Sequence, residues 1–248
     1  MIDLLRVLDK LVHRRSLVTP WPKQLPVLTS KQLMIREDFM KHWLEVLPTK
    51  YGFIERINHW YAIPQCTINY CKTLEVGGGI GAHLAYEDLT SQEYTVLELR
   101  EELAHLIRLK YPNVRVIVGD VQERIAAPEE YFDRIIAVHV LEHLPNLQMG
   151  LSEIRRVMKP SGIFSVVIPC EGGVAYELIR EVALGRLFEE RYACSYDWLV
   201  RSEHLNDAWE LLGELKQYFN VSKKSYWPLR IPSIHLNLVI GLTCVPKS

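Results

Sequence analysis

Short hydrophobic runs alternate with amphipathic segments through the middle of the chain. From Lys72 onward, five apolar runs predict successive strands, over 73–76, 94–99, 114–118, 132–138 and 163–168. Between several of them, apolar residues three and four positions apart predict helices over 82–88, 101–110 and 147–158. Strands that alternate with helices are typical of a parallel sheet with crossover helices. We therefore expect a doubly wound α/β sheet here.

Helical patterns flank this alternating region on both sides. Apolar positions at helical spacing predict an amphipathic helix over 1–15 and a second helix over 30–47. The segment after residue 169 predicts two helices and two closing strands, over 174–188, 204–218, 221–227 and 236–245. We therefore divide the chain into an N-terminal helical cap, residues 1–70, and a sheet domain, residues 71–248, with a helical lid inserted at about 171–203.

Composition and charge are ordinary for a globular chain. The 248 residues are 48% hydrophobic and 24% charged, and the formal net charge is −1. This balance gives no overall positive field for a phosphate backbone, so we expect no nucleic-acid partner. The five cysteines include no CxxC pair, and no clustered carboxylates and histidines suggest a metal site. A reducing cytoplasm is the expected location.

The predicted N-terminal helix does not resemble a targeting segment. It lacks the basic start and the uninterrupted apolar stretch of a signal peptide, and we expect no transmembrane segment. Packing on its own domain, or on the second subunit of a homodimer, explains its apolar face better than membrane-surface binding does.

A glycine-rich loop follows the first predicted strand. Gly77, Gly78, Gly79 and Gly81 would allow a tight turn and the close approach of a ligand to the backbone. The spacing of Gly77, Gly79 and Ala82 also fits the loop of nicotinamide-binding folds. The loop alone therefore leaves two classes of cofactor open.

Acidic residues at three strand ends separate these two cofactors. Glu75 would repel a pyrophosphate but suits the charged amino-acid portion of S-adenosylmethionine. Glu98, followed by Leu99, closes the second strand, where a carboxylate accepts hydrogen bonds from ribose hydroxyls in Rossmann-type sites, a contact that both cofactors would use. After the third strand, Asp120 and the amide of Val121 suit the adenine ring. The set favours an adenosine cofactor without a pyrophosphate.

The motifs, in this order, resemble those of class I S-adenosylmethionine-dependent methyltransferases. They lie at 75–81, 98, 119–120, 132–136, 141–144 and 158–162. The resemblance covers roughly residues 72 to 170. It implies a Rossmann-like seven-stranded sheet with helices on both faces and an antiparallel last pair of strands, and S-adenosylmethionine as cofactor. Gly78 stands where many members have cysteine or alanine, and we expect it only to loosen the loop.

A second resemblance concerns segments outside the sheet. Residues 38–43, 58–61, 169–173 and 203–206, with Tyr176, resemble methyltransferases encoded among bacterial surface-polysaccharide genes. This resemblance implies a glycan precursor, or a sugar-linked group, as methyl acceptor.

Two histidines follow the fourth predicted strand, at the edge where open α/β sheets bind ligands. His143 is the first candidate for a general base, with Glu142 to orient it, although a histidine here can also cap the next helix. His139 is expected to form a wall of the cofactor site. His204, beside Asn206, is the second candidate for the base.

The remaining acceptor contacts are expected in the lid. Glu171, Tyr176 and Asn206 are candidates to face the acceptor, although the glycines after Glu171 also fit a purely structural turn. The first hypothesis is methyl transfer to a hydroxyl of a small molecule or glycan precursor. The alternatives are an N-methyltransferase of an amino sugar or amine, and a non-catalytic cofactor-binding partner protein.

Overall fold

Seven strands form one mixed sheet in the computed structural model, which describes residues 20–50, 52–63 and 71–247. The helix predicted over 1–15 lies outside the described residues. The strands are β1 Cys71–Val76, β2 Gln92–Glu98, β3 Arg115–Val118, β4 Phe132–Val138, β5 Met158–Pro169, β6 Phe219–Trp227 and β7 Val239–Pro246. Their spatial order is β3-β2-β1-β4-β5-β7-β6.

The first five strands run parallel to one another, and β7 runs in the opposite direction to both of its neighbours. β1 pairs with β2 and β4, β2 pairs with β3, and β4 pairs with β5, all in parallel. β7 pairs antiparallel with both β5 and β6. The order reverses between β1 and β4, which in doubly wound sheets is the point where ligands bind. The predicted fold, a Rossmann-like seven-stranded sheet with an antiparallel final pair, is confirmed.

Helices cover both faces of the sheet. They are α1 Ser30–Lys50, α2 Gly52–Trp60, α3 Glu101–Lys110, α4 Leu147–Val157, α5 Val174–Arg180, α6 Arg186–Tyr192, α7 Asp197–Glu203 and α8 Ala208–Tyr218. The apolar sides of α4 and α8 bury residues such as Leu151 and Leu211 against β4, β5 and β7. On the other face, Ile107 of α3 packs on Val96 and Ile136. Within the described residues, no helix is long and apolar enough to cross a bilayer.

The helix α1, before the sheet, contacts the helices between β5 and β6. Phe39 of α1 packs against Phe188 of α6, with ring centroids 5.2 Å apart, and Leu199 of α7 completes this cluster. Asp38 accepts hydrogen bonds from Arg191 on the same surface. The division into cap, sheet domain and lid stays a prediction.

Two predicted helices differ from the structure. The segment 82–88 forms only a short 3-10 turn, His83–Tyr86, because it is confined between Gly81, with a positive φ of 74°, and extended backbone at Glu87. The helix predicted over 204–218 begins at Ala208 instead, where Asp207 and Glu210 form a capping box.

Candidate active site

The glycine loop lies at the carboxyl end of β1. Gly77 and Gly79 have φ values of +72° and +55°, a region that other residues rarely adopt. A Cβ atom built at Gly79 would meet nothing within 4 Å, so the backbone there is open to a ligand. At Gly78 a Cβ would lie 2.3 Å from Val96 Cγ1, so the expectation that this glycine only loosens the loop is wrong. Gly78 lets the loop pack directly on β2.

Glu98 joins the end of β2 to this loop. Its Oε2 accepts a hydrogen bond from the Gly79 amide at 2.7 Å, and its Oε1 accepts one from the Arg100 amide at 3.0 Å. Each carboxylate oxygen keeps a lone pair for a further donor. A carboxylate beside an open glycine backbone fits a ribose with two hydroxyls, as the resemblance implies.

Apolar and polar groups continue along the same edge toward β3. Leu99 directly follows β2 and is 63% exposed, so a ligand at this edge can contact its side chain. Asp120 accepts hydrogen bonds from the backbone and side-chain amides of Gln122. Val121 is buried in the main core. Leu99, Asp120 and Val121 thus line one side of the edge, which suits an adenine ring.

Glu75 lies in a buried polar cluster. It accepts a hydrogen bond from the Tyr94 hydroxyl at 3.1 Å, and burial raises the pKa of this carboxyl to about 7 despite the nearby His83. A cationic group bound beside it would favour the ionised form. This chemistry is compatible with the ammonium group of S-adenosylmethionine.

An ion-pair network below this site was not predicted from the sequence. Arg134, in the centre of β4, donates to both carboxylate oxygens of Glu87 and to the Ala62 carbonyl. His83 Nε2 lies 2.8 Å from Glu87 Oε1. Burial would raise the pKa of Glu87, but these hydrogen bonds outweigh it and lower the pKa to about 2. Arg134 lies in a run that is apolar apart from it and Asp133, which was the available signal that a buried partner was required.

His139 and Glu142 form a hydrogen-bonded pair just after β4. His139 has a left-handed φ of 53°, and its Nδ1 lies 3.1 Å from Glu142 Oε1. Glu142 is fully buried, yet hydrogen bonding from His139 and the neighbouring histidines outweigh burial and lower its pKa. Among the described residues, His139 Nε2 and Glu142 Oε2 are buried polar atoms without a hydrogen-bond partner. Such orphaned atoms fit a site that a polar ligand completes.

The two histidines predicted as bases lie side by side. The rings of His143 and His204 are perpendicular, with centroids 5.0 Å apart. His143 Nδ1 lies 2.6 Å from the Glu203 carbonyl, which can only accept, so the hydrogen is on Nδ1 and the lone pair is on Nε2. Burial lowers the pKa of His143, with partial compensation from Glu142.

His204 has a carboxylate partner that His143 lacks. Its Nδ1 lies 2.8 Å from Oε2 of Glu171, a fully buried residue at the end of β5. Arg180 donates to Glu171 and to Glu177, which holds the carboxylate in place. Burial alone would lower the pKa of His204, but the attraction and hydrogen bond of Glu171 outweigh it and raise the pKa. This arrangement makes Nε2 of His204 a proton acceptor.

The other two residues assigned to the acceptor differ in their surroundings. Asn206 is fully buried, donates to the carbonyls of Leu141 and Leu144, and accepts from the Trp21 indole. These hydrogen bonds use the side chain of Asn206 to hold the turn that carries His143. The sequence had instead predicted that Asn206 contacts the acceptor. Tyr176 lies beside this network, 5.6 Å from the Arg180 guanidinium, and burial raises its pKa well above 10.

Comparisons with known proteins agree with this geometry. Residues 74–166 match the family model described as a methyltransferase domain. The (S)-coclaurine N-methyltransferase of Papaver somniferum is 40% identical over 68 residues, 27% of this chain and 19% of that protein. A ubiquinone biosynthesis O-methyltransferase of Rhodopseudomonas palustris (strain TIE-1) is 28% identical over 141 residues, 57% of this chain and 49% of that protein. The chain therefore spans about a fifth to a half of the length of these curated relatives.

A solved structure extends the likeness to most of the chain. The 1,6-didemethyltoxoflavin-N1-methyltransferase of Burkholderia thailandensis, with bound 1,6-didemethyltoxoflavin and S-adenosylhomocysteine, has a TM-score of 0.58 at 17% identity. The match covers 92% of this chain and 94% of that one, and at this identity it shows the fold alone. Residues 74–166 are therefore similar to a methyltransferase domain, and the sheet that contains them has the Rossmann-like fold.

Proposed function

We propose that the whole chain is a methyltransferase that transfers the methyl group of S-adenosylmethionine to a hydroxyl of a small molecule or glycan precursor. The pairing of His204 with the buried carboxylate of Glu171 carries this proposal. A hydroxyl nucleophile must lose a proton as it attacks, and a positioned imidazole near neutral pKa is suited to accept it. Bound S-adenosylmethionine supplies the electrophilic methyl group.

The cofactor site is assigned to the edge formed by β1, β2 and β3. The open backbone at Gly79 and the carboxylate of Glu98 support a ribose position, and Leu99 and Asp120 support an adenine position. Gly77 and Gly81, with positive φ, shape the loop, and Val121 backs the adenine side. Glu75 and His139 lie toward β4 and are assigned to the methionine end.

His204 replaces His143 as the first candidate for the base. In the neutral form each ring has an unprotonated Nε2, but only His204 has a hydrogen-bonded carboxylate to stabilise the imidazolium that forms when the proton arrives. Glu171 therefore acts as a positioning residue for His204 and not as a direct contact for the acceptor. His143, with its lowered pKa, is proposed as a neutral neighbour that hydrogen-bonds the acceptor or substitutes as base.

The glycan acceptor rests on the resemblance of segments outside the core to polysaccharide-gene methyltransferases. One of the two curated relatives is an N-methyltransferase and the other is an O-methyltransferase, so the atom that is methylated is determined by the product screen below.

A product screen tests the proposed function. The full chain is incubated with isotopically labelled S-adenosylmethionine and a panel of hydroxylated ring compounds, nucleotide sugars and amino sugars, and the products are read by mass spectrometry. We expect a label on oxygen that is lost in His204→Ala. A label on nitrogen that is kept in His204→Ala would favour the N-methyltransferase. Binding of S-adenosylhomocysteine without any product would favour a non-catalytic partner protein.

A further inference from the structure

A cavity of about 430 Å³ lies between α2 and the edge of the sheet formed by β5, β7 and β6. It is lined by Arg56, Ile57, Trp60, Tyr61, Val167, Ser225, Tyr226, Trp227, Arg230, Val239 and Gly241. Its volume falls in the range of pockets that hold a single small molecule. None of these residues belongs to the cofactor site or to the histidine cluster described above.

The cavity adjoins the end of the proposed cofactor site at which His139 lies. The Val167 carbonyl, in its wall, accepts a hydrogen bond from the His139 amide at 2.9 Å. Val167, Val239 and Trp227 belong to the strand ends at the carboxyl edge of the parallel sheet, since Val239 pairs with both Pro169 and Trp227. A molecule in the cavity therefore lies next to the edge on which the cofactor site is assigned.

Four of the eleven lining residues are aromatic, namely Trp60, Tyr61, Tyr226 and Trp227. Tyr61 lies against Gly241 so closely that a Cβ atom there would be 2.6 Å from its ring, and its hydroxyl hydrogen-bonds Thr243 Oγ1 at 3.0 Å. The ring is thus held in place, and the glycine provides the room for it. Trp60 and Trp227 add two more flat surfaces, which favour stacking with another ring.

Positive charge is the other property of the wall. Arg56 and Arg230 are both exposed, and neither forms an ion pair or a hydrogen bond through its side chain within the described residues. Guanidinium groups bind carboxylates and phosphates through paired hydrogen bonds. Apart from the two indole N–H groups, the other polar side chains of the lining are the hydroxyls of Ser225 and Tyr226, since Tyr61 pairs with Thr243. Flat aromatic surfaces beside guanidinium groups favour a planar ring with an anionic substituent over a sugar, whose many hydroxyls have fewer partners on this lining.

We infer that this cavity binds the methyl acceptor, and that the acceptor is an aromatic ring acid: a flat ring that carries the hydroxyl and an anionic substituent. The ring lies between the aromatic side chains, and the anion pairs with Arg56 and Arg230. This inference rests on the proposed function for the hydroxyl, and it narrows the acceptor from a small molecule or glycan precursor to a small aromatic acid.

Binding of three probes to the full chain tests this inference. The probes are 3,4-dihydroxybenzoate, its neutral methyl ester and glucuronate, titrated by calorimetry with and without S-adenosylhomocysteine. We expect 3,4-dihydroxybenzoate to bind about 10-fold or more tightly than the ester, the scale of hydrogen bonds to a charged group. Arg56→Gln and Arg230→Gln should each weaken binding of the acid by roughly 10-fold and leave the ester unchanged. Arg124→Gln, an exposed arginine beside the other end of the sheet, is the matched control.

Results that contradict this inference differ from those that would contradict the proposed function. Equal binding of the acid in wild type, Arg56→Gln and Arg230→Gln would overturn the assignment of the cavity, as would absence of binding. Tighter binding of glucuronate than of the aromatic acid would overturn the ring class. The heat of S-adenosylhomocysteine binding, measured in the same series, reports on the proposed function separately, because no cavity residue belongs to the cofactor site.

Discussion

His204 Nδ1 lies 2.8 Å from Glu171 Oε2, and Arg180 holds the same buried carboxylate from its other side. The negative charge of Glu171 raises the pKa of His204. If His204 is the base, as proposed, it must be neutral to act, so we expect turnover to fall as the pH drops through the pKa of His204.

Glu171→Gln removes this charge but keeps the shape of the side chain. The pKa of His204 then falls, and we expect the acidic limb of the kcat profile to move to lower pH by roughly 1 unit or more. The maximal rate also falls, because the imidazolium loses its partner. The profile is measured from pH 5 to 9, with the exposed Glu190→Gln as control. An acidic limb that stays in place would show that His204 is not the titrating base.

Substitution of His204 and substitution of His143 are expected to lower kcat to different extents. His204→Ala should lower kcat by roughly 100-fold or more, the usual scale for loss of a positioned base, with little change in affinity for S-adenosylhomocysteine. His143→Ala should have a smaller effect on kcat. Steady-state kinetics of both variants, with calorimetry of cofactor binding, checks this. If His143→Ala has the larger effect on kcat at unchanged cofactor affinity, the order expected from the sequence is right.

The buried pair of Glu87 and Arg134 predicts a change in stability. Glu87→Gln leaves the buried guanidinium uncompensated, so we expect the free energy of unfolding to fall by about 3 to 5 kcal/mol. Adding Arg134→Met to Glu87→Gln removes the unpaired positive charge and should restore part of the lost free energy of unfolding. Urea unfolding at pH 7 measures both variants. A double variant less stable than Glu87→Gln alone would contradict the account.

The same pair predicts a dependence of stability on acid. The pKa of Glu87 is lowered to about 2 in the folded chain from 4.5 in the unfolded one. Its contribution is therefore complete above pH 4.5 and is lost as the pH falls toward 2. Urea midpoints between pH 3 and pH 6 should fall more steeply in wild type than in Glu87→Gln. Equal slopes would contradict the lowered pKa.

The contact between Gly78 and Val96 predicts a rescue. Gly78→Ala would overfill the space between the loop and β2 and should destabilise the chain by about 1 to 3 kcal/mol. Adding Val96→Ala creates room for the new methyl group, so the double variant should lose less than the sum of the single changes. Thermal unfolding of the wild type, the two single variants and the double variant measures the coupling free energy between positions 78 and 96. Strict additivity would mean that Gly78 is not required for packing on Val96.

Hydrophobic periodicity predicted most of the sheet because the inner strands are largely buried on both faces, whereas the edge strands β3 and β6 are partly exposed. The predicted bounds of β4 and α3 agree with the structure at both ends. The proximity of Glu98 to Gly79 also followed from the sequence, since the carboxyl ends of neighbouring parallel strands meet at one edge.

The parts that sequence analysis missed depend on tertiary contacts. The segment 82–88, predicted as a helix, contains His83 and Glu87. Glu87 accepts a hydrogen bond from the buried Arg134 and pairs with His83, so these side chains do not form the apolar face of a helix. The approach of His204 to Glu171 brings together residues 33 positions apart through three intervening helices, and no periodic pattern records it. The cavity at Gly241 likewise depends on how α2 meets the sheet.

A calorimetric titration of the full chain with S-adenosylhomocysteine, beside NADH, tests the central claim most directly. We expect S-adenosylhomocysteine to bind and NADH not to bind. Glu98→Ala should weaken that binding by about 1 to 3 kcal/mol, through lost hydrogen bonds to a charged acceptor, whereas the exposed Glu101→Ala should not. Binding of NADH without heat from S-adenosylhomocysteine would contradict the claim that this chain uses S-adenosylmethionine.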